Sequence, residues 1–271
     1  MSIRSFGMSP ARSHGDPQCL VSRSVRRSRT RNVLTIGGAV LVAAAMFGCS
    51  PRESEPTPSA PAIPSGSASP TADAADAVPL SQFSAGTPLD PGRYVLPVVD
   101  APSAPLLPVL SVPEGFGALG DASETISVGS PDYGRYVWVW EVNSVSTHPC
   151  ESGAGPQPVG PSVADLANAL ATPSLRTATD PVPVTVGGYD GLYVELSVPD
   201  DIDVAACPGG VFPMWQGRWQ EYPGQVDMVW IVDVEGQRVV FDASHMADAS
   251  PERVNQLKDM VTTATFAPPR G

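Results

Sequence analysis

The chain has 271 residues, 42% of them hydrophobic, with 28 Asp and Glu set against 16 Lys and Arg and a formal net charge of −12. That apolar share supplies a core, while the acid excess repels phosphate backbones and anionic headgroups, so nucleic-acid binding and polybasic membrane docking are poor hypotheses. Four cysteines are too few for a disulfide-dense scaffold, and none sits in a CxxC or beside a His at metal-ligand spacing.

Taken from its start, the chain carries seven arginines before position 32 and then no charged residue from Asn32 to Ser50. The apolar run Val33 to Phe47 is short and rich in Gly and Ala, whereas a membrane-spanning helix wants about 20 strongly apolar residues. A basic segment followed by such a run reads as an export signal. "MFGC" at its end resembles the lipobox of bacterial lipoprotein signals, in which the cysteine receives a diacylglycerol thioether before cleavage. The resemblance implies that Cys49 becomes the acylated first residue of the mature protein, which makes the membrane a partner through the lipid anchor; an unidentified envelope ligand or protein is the other partner expected. Cleavage near Ala45 and an uncleaved anchor are the alternatives, and a start at Met8, Val21 or Val25 would give a signal of more ordinary length. Discarding residues 1–48 removes seven Arg and one Asp, leaving nine basic and 27 acidic residues and a net charge of −18.

From Ser50 to Pro79 the sequence is built from Pro, Ser, Ala, Thr and a few acids. It has almost nothing to bury, so it cannot offset the entropy of ordering and reads as a disordered tether. Its thirty residues reach at most about 90 Å at ~3.1 Å per residue in a polyproline-like state. The organisation expected is thus a signal peptide over 1–48, a lipidated Cys and tether over 49–80, and one globular domain over 81–271.

Within the domain, "GRYVWVWEVNSV" alternates and places Tyr136, Trp138, Trp140 and Val142 on one face. "PSVADLANALA" predicts a helix with Ser162 as N-cap, Asp165 three residues on, and Val163, Leu166, Ala167 and Leu170 along one side. "GGYDGLYVELSVP" predicts a hairpin whose second strand turns Leu192, Val194, Leu196 and Val198 inward. "DMVWIVDVEGQRVVFDAS" predicts another, turning at Glu235-Gly236 or Gly236-Gln237. "SPERVNQLKDMVTTA" closes the list with Ser250 as N-cap, Pro251 at the first helical position and a stripe of Val254, Leu257 and Val261. Both helical stripes need a sheet to cover, which defines the fold class as α+β: a mostly antiparallel sheet with two amphipathic helices packed on it.

"VPEGF", "VGPSVADL", "VTVGGYDGLYVELSVPDD" and "VWIVDVEGQRVVFDAS", the last followed by a helix and "TF", resemble uncharacterised actinobacterial lipoproteins over roughly residues 88 to 267. The layout is also similar to the PsbP-like sandwich of LpqN-type envelope lipoproteins. These resemblances imply a location and a sandwich fold; they carry over no functional residue and no cofactor.

Candidate chemistry is sparse. Cys150 and Cys207, the two cysteines left after processing, are expected to pair in an oxidising compartment, two free thiols being the alternative. The chain has no G-x-S-x-G and no S-x-x-K. "FDASHMAD" gathers Asp242, Ser244, His245 and Asp248, the basis of an alternative reading as an envelope hydrolase, yet strand alternation puts Ser244 and His245 on opposite faces. Asp200, Asp201 and Asp203 offer oxygen ligands without the glycine and terminal Glu of a calcium loop, so no metal site is assigned. "VFPMWQGRWQEYPG" is the richest stretch. Its Pro and Gly predict a loop, and Trp215, Trp219 and Tyr222 are the candidate ligand contacts, with pinning to the core as the competing role. The functional expectation is a non-enzymatic binding or interaction module on the extracytoplasmic face of the cell membrane.

Overall fold

The computed structural model describes residues 76–119, 127–130, 135–172 and 175–269. Cys49, the export signal and most of the tether lie outside them. In chain order the strands begin with β1 (Val78–Pro79), β2 (Gly92–Val95), β3 (Leu107–Val112), β4 (Gly117–Leu119), β5 (Ser127–Ser130) and β6 (Arg135–Trp140). Two short strands, β7 (Ser144–Val145) and β8 (Gln157–Pro158), precede helix α1 (Val163–Leu170). Then come β9 (Thr177–Ala178), β10 (Val182–Val186), β11 (Tyr189–Ser197), β12 (Phe212–Trp215) and β13 (Arg218–Gln220). The long pair β14 (Gln225–Val234) and β15 (Gln237–Met246), helix α2 (Pro251–Thr262) and β16 (Thr265–Ala267) complete the chain.

The central sheet runs β10-β11-β14-β15-β6-β5-β4, with β9 beside β11, and every pairing in it is antiparallel. Its two long hairpins turn as their sequences require. Gly187-Gly188 and Glu235-Gly236 all have positive φ, between 54° and 86°, the backbone that a two-residue turn matched to strand twist demands. Of the two turns the second sequence allows, the first is adopted, and Asp233 Oδ1 accepts from Gly236 N at 2.8 Å to fix it.

β14 is buried along nearly its whole length because both faces of the sheet are covered. On one face Met228, Trp230, Val232, Phe241 and Ala243 meet Leu257, Met260 and Val261 of α2, together with Leu110 and Phe266 from a second sheet of order β1-β2-β3-β16 and Leu96 just beyond β2. On the other, Val194, Leu196, Val229, Ile231 and Val240 meet Leu166, Ala167 and Leu170 of α1 and Met214 and Trp215 of β12. The two helices therefore lie against opposite faces, and α1 carries the expected capping box, with Ser162 accepting from Asp165 N at 3.0 Å and Asp165 from Ser162 N at 3.1 Å. Ser250 of α2 makes no such cap bond.

Three expectations are corrected. The strand read from "GRYVWVWEVNSV" ends at Trp140, and Val142 is buried in the segment beyond it. Folding starts before residue 81: Val78 and Pro79 pair in parallel with β2, and Ala77 and Leu80 are buried, because a run of small residues still has a few apolar side chains to insert where a partner strand awaits them. "VFPMWQGRWQEYPG" is a hairpin of β12 and β13, with Gly217 at φ +77° supplying the turn and a register shift between Pro213 and Trp215 absorbing the proline.

Cys150 and Cys207 form a disulfide. Around it Val198, Val204 and Phe212 make a small satellite core that leads straight into β12.

Candidate binding site

Tyr136, Trp138 and Trp140 rise from alternate positions of β6 on the face shared with α1. Their rings follow one another at centroid spacings of 4.5 and 6.4 Å. The β12–β13 hairpin folds over this row, and between the two lies a half-open cavity of about 300 Å³. Trp219, Arg218 and Gly217 line it from the hairpin, Glu221 from the segment that follows, Gln225 from the start of β14, and Leu119 from the end of β4.

Beneath the aromatic row sits a buried charge cluster. Asp227 on β14 and Asp242 on β15 project to the same face as Val229 and Val240, and both are fully buried. Arg218 reaches between them: its Nη2 donates to Asp227, its Nε to Asp242 and its Nη1 to the Trp219 carbonyl. Its guanidinium also lies over the Trp138 ring, 4.6 Å from the centroid. Gln220 donates to Asp227, and Arg176 donates to Gln220 Oε1 and to the Pro213 carbonyl, each at 3.0 Å. Gln225 Nε2 adds two longer bonds of 3.4 Å to the Asp227 carboxylate.

The electrostatic consequences follow from burial and pairing. Burial by itself lowers the Arg218 pKa, but Asp242 and Asp227 more than offset it and the guanidinium is held above its ordinary value. Arg176, also buried but without a carboxylate bond of its own, is lowered to about 10 by desolvation. Burial pushes Asp242 up to about 7 against the pull of Arg218, with the Asp227 charge adding to the rise. The Tyr136 phenol is raised, chiefly by burial and further by Asp227, Glu221 and Tyr222, while Arg218 opposes the shift.

The candidate contacts named from sequence separate here. Trp215 is only 3% exposed and packs edge-to-face on Trp140 at 6.1 Å, so its role is to pin the hairpin rather than to meet a ligand. Trp219 and Tyr222 are each 44% exposed, and Trp219 lines the cavity with its indole N–H donating to Glu221 at 3.1 Å. The alternation that places Tyr136, Trp138 and Trp140 on one face does not mark them as a cavity wall, and no pattern in the sequence singles out Arg218.

The remaining candidates do not converge on a reaction. Asp242 is engaged by Arg218, while Ser244 and His245 alternate to opposite faces of β15, with His245 Nδ1 2.8 Å from the Met246 carbonyl oxygen. Asp200, Asp201 and Asp203 lie exposed in the turn after β11. Among the described residues, no group of three or more His, Cys, Asp or Glu is placed to hold a metal ion, and no helix is long and apolar enough to cross a membrane. A larger cavity of about 600 Å³ lies beside β4, lined by Pro88, Leu89, Phe116 and Ala118 with Asp90 and Glu114. It has no buried polar cluster to orient a ligand, and the aromatic cavity does.

The fold and site together define a class: an antiparallel sheet domain covered on both faces, with an aromatic cavity floored by a buried ion cluster. No protein-family model matches the chain, and no curated protein matches it, so the site is interpreted from its own geometry.

Proposed function

We propose that the chain is a lipid-anchored binding module on the extracytoplasmic face of the cell envelope, and that it takes a small ligand into the cavity between β6 and the β12–β13 hairpin without transforming it. The observation that carries this reading is the wall of Tyr136, Trp138 and Trp219, backed by the buried Trp140 and set over the Arg218–Asp227–Asp242 cluster. Large rings on rigid strands supply contact area at little entropic cost, and the buried cluster fixes Arg218 against the floor. Extracytoplasmic location is supported by the basic and apolar start of the chain, by Cys49 before a tether-like tract, and by the Cys150–Cys207 disulfide, which persists in an oxidising compartment. The PsbP-like sandwich of LpqN-type envelope lipoproteins is the finer reading of the fold, supported by the order of strands and helices.

Native mass spectrometry of the gently purified full-length protein tests the binding reading. A co-purifying small molecule is expected, and Trp219→Ala should lose it while keeping the wild-type melting curve. An undiminished ligand in that variant would move the site elsewhere, and turnover of an ester probe that vanishes in His245→Ala would favour an envelope hydrolase instead.

A further inference from the structure

Taking the aromatic cavity as the binding site, the class of ligand can be narrowed from what its own groups have already committed. We propose that it binds a small cation whose charge resides on a methylated, quaternary ammonium.

Charge is the first constraint. The cluster around the cavity sets Arg176 and Arg218 against Asp227, Asp242 and Glu221; with Asp242 held up at about 7, the cluster is close to balanced near neutral pH and turns negative above it, and Glu221 is the acid on the cavity side. Arg218 gives its guanidinium to both aspartates and the Trp219 carbonyl, and Arg176 gives its own to Gln220 and Pro213. A phosphate or carboxylate ligand thus meets Glu221 and no uncommitted guanidinium among the described lining residues. A cation meets a favourable field, reinforced by the acid surplus of the chain.

Hydrogen-bonding capacity is the second. Gln225 spends its amide nitrogen on Asp227 and its oxygen on the Glu221 backbone N–H at 3.2 Å, and Trp219 spends its indole N–H on Glu221; the Trp140 indole N–H has no partner among the described residues, but it is a donor and cannot take a ligand hydrogen. A sugar or a primary amine brings several polar hydrogens that need partners when water is displaced, and each one left unmade weakens binding. A quaternary ammonium has no N–H to satisfy. It is weakly hydrated, and its natural partners are aromatic faces and a carboxylate at longer range.

The third is precedent within the molecule. Arg218 already lies 4.6 Å from the Trp138 ring centre, so the aromatic row has the polarity that attracts a cation. With Tyr136 and Trp219 also lining a space of about 300 Å³ and Glu221 beside them, the arrangement is a cage open on one side.

The test uses the full-length protein, intrinsic tryptophan fluorescence and two probes of matched shape: choline, and dimethylbutanol as its uncharged carbon isostere. Choline is expected to bind about tenfold or more tightly than the isostere. Trp219→Ala should abolish both responses, whereas Glu221→Gln should weaken choline several-fold and leave the isostere unchanged. Saturation by free choline assigns a solute; a Trp219-dependent response to phosphatidylcholine vesicles alone assigns a lipid headgroup, and either supports the ammonium class. Equal affinity for the two probes would overturn the cation inference while leaving the cavity as the binding site. A response to neither probe nor to the vesicles would also overturn it, and the cavity would then stand or fall on the co-purification experiment.

Discussion

A guanidinium shut away from water is costly unless its charge and donors are met, and Arg218 is met by two carboxylates, Asp227 and Asp242. Burial pushes Asp242 up to about 7 from its ordinary 3.8, and the neighbouring Asp227 charge adds to the rise while Arg218 opposes it. The folded pKa of Asp242 lies above its unfolded one, so the native state binds this proton more tightly. The corresponding stability is fully present below about pH 4 and is lost as pH rises through 7, with a slope of up to ~1.4 kcal/mol per pH unit. Asp242→Asn removes the titration while keeping an oxygen to accept from Arg218. Thermal melts between pH 4 and 8 should therefore show the variant gaining on the wild type as pH rises; parallel curves would reject a raised Asp242. Half of this cluster was legible in the sequence. Asp227 and Asp242 fall at inward positions beside Val229 and Val240, and an inward carboxylate announces a buried partner. The partner is nine residues before Asp227, in a stretch that reads as a loop, and no periodicity points to it.

The β12–β13 hairpin acts as a clamp with one buried and one exposed side. Phe212, Met214 and Trp215 sink into two neighbouring cores, while Trp219 and Tyr222 face outward. Trp215→Ala should cost about 3–5 kcal/mol, since it removes a large ring from a packed core that relaxes only in part. Trp219→Ala should cost less than about 1 kcal/mol, having no such cavity to leave. Denaturant melts of the two variants decide this, and similar losses in both would mean that the hairpin is not divided in this way. The long hairpins and both helices were legible because each repeats its period over several turns or pairs, and Ser162 with Asp165 spells out a capping box. The hairpin of the clamp was not, because Pro213, Gly217 and a register shift interrupt the alternation within four-residue and three-residue strands. The second sheet was hidden for the same reason. β1, β2 and β16 are two to four residues long, and their role depends on which distant strand they meet.

At the scale of the molecule, one central sheet is sealed on both faces. The Cys150–Cys207 bridge fastens the segment after β7 to the approach of the clamp, across 57 positions of sequence. In the chain-entropy account a closure of that length stabilises by ~4 kcal/mol, a large share of a typical domain's margin. The aromatic cavity then sits on a sheet packed on both faces and braced by the disulfide, which suits a module that works at the end of a line. In the proposed arrangement that line is the Pro- and Ser-rich tract behind Cys49, and its anchor is lipid. The acid surplus offers no electrostatic hold on an anionic membrane, so in this proposal attachment comes from the acyl chains. A single chain holds only marginally and two or more hold stably, so attachment should be all-or-none with respect to the cysteine. Cys49→Ser should therefore move the protein from the membrane fraction to the soluble one, and mass spectrometry of the wild-type membrane form should find an N-terminal Cys49 carrying diacylglycerol. A Cys49→Ser protein that stays with the membrane, or a mature N-terminus at another residue, would remove the anchor from the proposal and leave the cavity to be tested without it.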